Sequence, residues 1–86
     1  MGVGYIVTFN ANGGTGSMAN EGPYSSPTAL TTNTYTYTGY AFTGWNTAAN
    51  GSGTAYADGA SFPFSANATL YARWRRSTTN FFAFMN

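Results

Sequence analysis

The side chains that could do chemistry in this 86-residue chain are few, and their types exclude most catalytic mechanisms. Histidine, cysteine and lysine are absent, so a serine or threonine hydroxyl would lack the bases that usually activate it. The two acidic side chains, Glu21 and Asp58, stand in glycine-containing loops far apart in sequence. A two-carboxylate hydrolase would have to use this pair alone. The inventory therefore predicts a protein that is not an enzyme.

Two loop motifs have the spacing of ligand sites, and both are better explained as turns. Residues 14–19 match the dinucleotide pattern GxGxxG/A after a predicted strand. However, Gly22, Pro23 and Pro27 interrupt the helix whose N-terminal amides would have to face the phosphates. Residues 10–17 offer amide oxygens to a calcium ion but no carboxylate, and zinc has neither histidine nor cysteine to bind it. We therefore predict no metal and no cofactor.

Charged side chains are scarce, which limits the partners that the chain can recruit. Arg73, Arg75 and Arg76 oppose the two acids, for a net charge of +1. This charge gives no electrostatic footprint for nucleic acid. Solubility must come from threonine, serine, asparagine and glycine, a composition common in exported surface modules. No apolar stretch of about 18 residues could span a membrane, and no signal peptide is recognisable, so export would need a signal in a longer parent chain.

Alternating apolar residues predict a mostly β fold in one domain, whose modest core is held without disulfides. Residues 5–10 and 68–74 are predicted as strands, and residues 38–47 as a buried strand that ends in a bulge or bend. Residues 26–32 could form one short helical turn. The predicted core is formed by the inward-facing residues of these elements: Val7, Phe9, Leu30, Tyr40, Phe42, Trp45, Leu70, Ala72 and Trp74.

Prolines make two further segments irregular. Pro23 and Pro27 donate no backbone hydrogen bond, so the residues that they bracket can form at most an irregular edge strand. Residues 61–64 are a brief apolar patch that Pro63 interrupts, after a polar, glycine-rich loop in which Tyr56 is the one large apolar residue. We assign no strand to that loop or to the patch.

Three tyrosines could form a binding surface. Residues 33–38 alternate threonine with tyrosine, which places Tyr35 and Tyr37 on one face, and Tyr71 points away from the predicted core. Outward aromatic rings can stack on sugars, and they can also cover a sheet face or pair across strands. Covering the sheet is the interpretation that we favour, with binding of a carbohydrate or a host surface protein as the alternative.

The segment from Arg75 departs from this pattern, so we divide the chain into a module of residues 1–74 and a tail of residues 75–86. The apolar end of the tail could pack on the domain, pair with the sheet edge of a neighbour or remain disordered. Pairing between chains would make a homo-oligomer, and four residues would carry it: Phe81, Phe82, Phe84 and Met85.

Three segments together resemble the Listeria-Bacteroides repeat, the family of the internalin B-repeats. They are VTFNANGGTGSMAN at residues 7–20, TGYAFTGWNTAANGSGTAYADGASF at 38–62 and ATLYARW at 68–74. The resemblance covers residues 5–74, and its most specific parts are GYxFxGW and the closing TLYAxW. It departs from the family at Pro23, Tyr24 and Pro27, where other members carry a smoother second strand, and the tail has no counterpart within one repeat.

This resemblance implies a small β-grasp-like module, α+β by family, with a mixed twisted sheet and little helix. Such modules stand in tandem on bacterial cell-surface or secreted proteins, where they act as spacers, stalks or weakly adhesive units. The expected partners are neighbouring repeats or other surface proteins. The family has no known catalytic residues, so the resemblance assigns none to this chain.

Overall fold

The computed structural model describes residues 4–77, and this part of the chain folds into β-strands without a helix. The mostly β class predicted from the alternation of apolar residues is therefore confirmed. In chain order the strands are β1 (Tyr5–Asn10), β2 (Glu21–Tyr24), β3 (Thr28–Ala29), β4 (Tyr40–Asn46), β5 (Ala55–Tyr56), β6 (Ser61–Phe62) and β7 (Ala68–Arg76).

Five strands form one mixed sheet in the order β2-β1-β7-β4-β5. The first and last strands, β1 and β7, lie side by side in its middle and run parallel, with Val7 beside Ala68 and Asn10 beside Tyr71. The other neighbours in this sheet are antiparallel. A separate antiparallel ribbon is formed by β3 and β6. Parallel pairing of β1 and β7 means that the described chain starts at one end of the sheet and leaves at the other.

A bulge in β4 explains how two aromatic residues spaced three apart face the same side. Side chains alternate along a strand, so Phe42 and Trp45 would face opposite sides of a regular one. Phe42 pairs with Trp74 and Trp45 with Ala72, and the register shifts between them. The extra residue is Thr43, which has no partner on β7. Gly44, directly after it, has a φ of 138°, which is costly for any residue with a Cβ. The bulge predicted from the glycine beside the tryptophan is present.

The core lies between one face of the sheet and a second layer of short segments. The sheet contributes Val7, Phe9, Trp45, Leu70 and Ala72, and the covering layer contributes Leu30, Tyr35, Phe62 and Phe64. Trp45 is 1% exposed, as expected of the residue at the centre of the core. Phe42 and Trp74 pack on the rim of the core and are only partly buried. Tyr40 lies outside the cluster, in contact with Tyr37.

The predicted helical turn at residues 26–32 is wrong. Thr28 and Ala29 form β3, which pairs with Phe62 and Ser61 of β6. The amide of Leu30 continues this pairing by donating to the carbonyl of Ala60 at 2.9 Å. Threonine-rich sequence has low helix propensity, so pairing with a distant strand prevails over one isolated turn. Leu30 is nevertheless buried, as predicted.

Strand β2 lies at the edge of the sheet and ends at Tyr24. Of the residues between Pro23 and Pro27, only Tyr24 therefore belongs to an edge strand. Its register against β1 shifts between Tyr5 and Val7. Tyr5 alternates onto the same face of β1 as Val7 and Phe9, but it is 37% exposed. Tyr5 is the first residue of the strand, it pairs with Tyr24 of the irregular β2, and it lies outside the core cluster.

Candidate functional site

Both acidic side chains hold the backbone of the covering layer. The Oε1 atom of Glu21 accepts a hydrogen bond from the amide of Thr31 at 2.7 Å, and Oδ1 of Asp58 accepts one from the amide of Asn33 at 2.9 Å. Each carboxylate therefore satisfies a backbone donor in residues 30–35, the segment that places Leu30 over the core. Among residues 4–77, no group of three acidic, histidine or cysteine side chains could hold a metal ion.

Asparagine side chains form hydrogen bonds within and around residues 10–17, the loop whose spacing resembles a calcium site. Oδ1 of Asn10 accepts from the amide of Asn12 at 2.7 Å, which makes a local turn. The Asn12 amide group donates to the carbonyls of Ala49 and Ala72, at 2.9 and 2.8 Å. A cation would need these carbonyl and amide groups as free ligands. The carbonyls of Ala49, in a loop, and of Ala72, in β7, already accept hydrogen bonds from Asn12.

Asn46, at the end of β4, is the buried polar residue that sequence reasoning missed. Its Oδ1 accepts hydrogen bonds from the amides of Ala48 and Gly53, both at 2.9 Å, and its Nδ2 donates to the carbonyl of Gly51 at 3.2 Å. Buried polar groups are nearly always hydrogen-bonded, and Asn46 meets this requirement through the backbone of the following loop. These three hydrogen bonds hold the conformation of residues 47–53. The available signal was an asparagine directly after a buried tryptophan and before a glycine-rich loop.

The prediction that Tyr35 lies on an outer surface is wrong. Tyr35 is 6% exposed, and its ring meets the ring of Trp45 edge-on with centroids 6.1 Å apart. Residues 33–38 do not form a strand of the sheet. An isolated bridge between Thr15 and Thr36 ties this segment down, and Asn33 bonds both the amide and the carbonyl of Tyr35. Tyr35 is consequently part of the covering layer.

The other two proposed surface tyrosines lie on opposite sides of the sheet. Tyr37 stacks on Tyr40 with ring centroids 4.1 Å apart and meets Trp74 edge-on at 5.5 Å. Tyr71 alternates with Leu70 and Ala72 on β7, so it is half-exposed on the face away from the core. The structure therefore brings no two of the three predicted tyrosines into one outer surface.

Burial raises the pKa of the Tyr35 phenol above the usual value of about 10. The folded state favours the neutral phenol, so the unfolded chain loses this proton first as the pH rises. Between the ordinary and the raised pKa, the folded state binds more protons, and the free energy of unfolding falls with increasing pH. The contribution is fully present below about pH 10 and is lost above it.

We therefore expect Tyr35→Phe to lose less stability than the native chain at alkaline pH. Urea unfolding followed by circular dichroism from about pH 8 to about pH 11 measures this, because the variant lacks the group that titrates on unfolding. Tyr71→Phe, at a half-exposed position, controls for the loss of one phenol. Equal alkaline behaviour of the two variants would show that burial of Tyr35 is not the cause.

The predicted assembly residues Phe81, Phe82, Phe84 and Met85 lie outside the described residues. The boundary that we placed after residue 74 falls within β7. This strand continues through Arg75 and Arg76, which pair with Ala41 and Tyr40. The guanidinium carbon of Arg76 lies 6.0 Å from the centre of the Tyr40 ring.

These features define a small β module: a mixed sheet whose core face is covered by short segments that side-chain hydrogen bonds hold in place. The family model of the Listeria-Bacteroides repeat domain matches residues 5–73, and the chain belongs to this family. Such repeats are typical of bacterial surface proteins. Comparison with curated proteins and with solved structures gives no match. Within residues 4–77 there is no helix with the length and hydrophobicity to cross a membrane.

Proposed function

We propose that this chain is a non-catalytic structural module of a bacterial cell-surface or secreted protein, and that it serves as a spacer or stalk unit between neighbouring repeats. The observation that carries the proposal is the parallel pairing of the first and last strands. In a tandem array this pairing directs each unit's exit away from its entry. Successive units would then extend the array along the strand direction.

The use of the polar side chains supports a non-catalytic role. Glu21 and Asp58 accept hydrogen bonds from backbone amides, and Asn12, Asn33 and Asn46 bond to loop backbone. A catalytic or binding site needs polar groups that converge on a cavity. The groups with suitable chemistry are instead committed to closing loops over the core, which is what a spacer requires of them.

We also infer that the module is β-grasp-like. The supporting feature is the order β2-β1-β7-β4-β5, in which the first and last strands form a parallel central pair flanked by antiparallel neighbours. One face of such a sheet must be covered. Here residues 30–35 and the β3–β6 ribbon cover it, in place of the helix of an α+β fold.

The spacer role predicts the length of an array. Strand β7 has nine residues, which span about 30 Å at about 3.3 Å per residue. Small-angle X-ray scattering of one, two and four copies of the full chain joined head to tail should therefore show a maximum dimension that grows by about 30 Å or more per copy.

The matched comparison is thermal unfolding of the same samples. Independent spacer units should unfold at nearly the same temperature in one copy and in four. A maximum dimension that increases only as the cube root of the number of copies, as in a compact globule, would contradict the spacer role.

A further inference from the structure

We propose that the parallel pair β1–β7, together with the side-chain hydrogen bonds at its two ends, is a mechanical clamp that resists tension along the chain. This terminal-strand clamp consists of residues 6–12 and 67–74. The inference deepens the proposed spacer role and rests on it for its biological use. The resistance itself follows from the geometry of the strands.

Tension applied to the two ends of the described chain loads the clamp in shear. The force would pull β1 back towards Tyr5 and β7 forward towards Arg76, in opposite directions along neighbouring parallel strands. In this direction the hydrogen bonds of the ladder must break together. Had the two strands been antiparallel neighbours, both pulled ends would lie at the same end of the pair, and the bonds would break one at a time.

Side chains extend the ladder beyond its paired residues. Backbone pairing joins four residues of β1, Val7–Asn10, to Ala68–Tyr71 of β7. At the entry end, the amide of Ile6 donates to Oδ1 of Asn67 at 2.8 Å. At the far end, Nδ2 of Asn12 donates to the carbonyl of Ala72 at 2.8 Å. Hydrogen bonds from side chains therefore lie at both ends of a short ladder.

A third side-chain bond strengthens the far end. Nε1 of Trp74 donates to the carbonyl of Ala11 at 2.9 Å, which joins the residue after β1 to the last third of β7. The indole is partly buried against Phe42 and Tyr37, with ring centroids 5.6 and 5.5 Å apart, so water has limited access to this bond. Shielding from water makes a hydrogen bond harder to exchange for a bond to solvent.

Packing prevents either strand from sliding past the other. Val7 and Leu70, on the core face of the two strands, are each 0% exposed, and Phe9 packs against Trp45 with ring centroids 4.9 Å apart. Sliding by one residue would turn each of these side chains to the opposite face of the sheet. Shear must therefore disrupt the core and the ladder in the same event.

Single-molecule force spectroscopy tests the clamp through the direction of pulling. Cysteine is absent from the sequence, so an introduced thiol is a unique attachment point. One handle precedes Met1, and the second is attached either at Ser77→Cys, beyond the end of β7, or at Ser65→Cys, before its start. The first pair of handles shears β1 against β7, and the second peels them apart. We expect a high-force unfolding peak in the first geometry and its loss in the second.

A pair of matched variants tests the side-chain bonds. Asn12→Ala with Asn67→Ala removes one bond from each end of the clamp, whereas Asn33→Ala removes two bonds within the covering layer and none to β1 or β7. We expect the shear peak to shift to lower force in the double variant and to stay in place in Asn33→Ala. Because Asn12 also bonds Ala49, the single variant Asn67→Ala, at an exposed position, provides the test if the double variant does not fold.

Equal unfolding forces in the two pulling directions would overturn the clamp. A reduction of the shear peak by Asn33→Ala as large as that by the double variant would also overturn it, since the peak would then report overall stability. These two results would contradict the clamp without contradicting the spacer role, which the scattering of the tandem copies tests. Compact scattering of the tandem copies would remove the spacer role and leave the direction dependence of the unfolding force as a measurable property of one unit.

Discussion

Trp45→Ala should lower the free energy of unfolding by about 3–5 kcal/mol, the usual cost of deleting a large buried aromatic side chain. Trp45 is 1% exposed and contacts aromatic rings of both layers: Phe9 and Phe42 in the sheet, at 4.9 and 5.0 Å, and Tyr35 in the covering layer, at 6.1 Å. Its removal separates the two layers where they meet. For a small domain, this loss is a large part of the total stability.

Urea unfolding followed by circular dichroism measures the effect. Trp45→Phe is the matched comparison, because the Nε1 atom of Trp45 is buried without a hydrogen-bond partner among the described residues. Phenylalanine keeps an aromatic ring and removes that unpaired donor, so its cost should be well below that of alanine. A cost within about 1 kcal/mol for Trp45→Ala would contradict the central role of this residue.

The burial of Trp45 could be predicted because the residue pattern that indicates it lies within one strand. Phe42 and Trp45 are three residues apart with Gly44 between them, and only an extra residue turns both to the same face. The alternation in β1 and β7 likewise identified Val7 and Leu70 as core residues. Patterns of period two are local, so they can be read before the fold is known.

The covering layer could not be predicted in the same way. Its strands β3 and β6 have two residues each, too few for any period to be visible. The alternation of threonine and tyrosine at residues 33–38 is the same whether the tyrosines face inward or outward. The bridge between Thr36 and Thr15 and the hydrogen bond that the Asn33 amide donates to Asp58 hold this segment with Tyr35 facing inward. Thr15 and Asp58 are both distant from Tyr35 in sequence.

The types of reactive side chain could be predicted from the composition, but the backbone groups that they bond could not. Lack of histidine, cysteine and lysine follows directly from the composition, and it restricts the possible reactions. The carboxylate of Glu21 bonds an amide 10 residues away, and that of Asp58 an amide 25 residues away. Such pairings depend on how the covering layer crosses the sheet, which no local pattern indicates.

Phe64 illustrates this limit, because the neighbouring Pro63 makes residues 61–64 look like an irregular patch in the sequence. Phe64 is 1% exposed, and its ring meets Tyr24 and Phe62 edge-on with centroids 5.0 and 5.1 Å apart. Its φ of 52° is unusual for a bulky residue, which requires surrounding contacts that hold it in place. The ring of Phe64 thus joins the edge strand β2 to the β3–β6 ribbon.

Phe64→Ala is accordingly expected to cost about 3–5 kcal/mol in the free energy of unfolding. Phe64→Gly provides an unusual comparison, since it deletes the same ring at a position where glycine is favoured. If the left-handed backbone is strained, the glycine variant should be more stable than the alanine variant by up to about 1 kcal/mol, the reverse of the order expected inside a regular strand. The adjacent exposed change Ser65→Ala should stay within about 0.5 kcal/mol of the native chain. A Phe64→Ala cost as small as that of Ser65→Ala would mean that β2 and the ribbon are held together without this ring, and that Leu30, Tyr35 and Phe62 are enough to close the two-layer core.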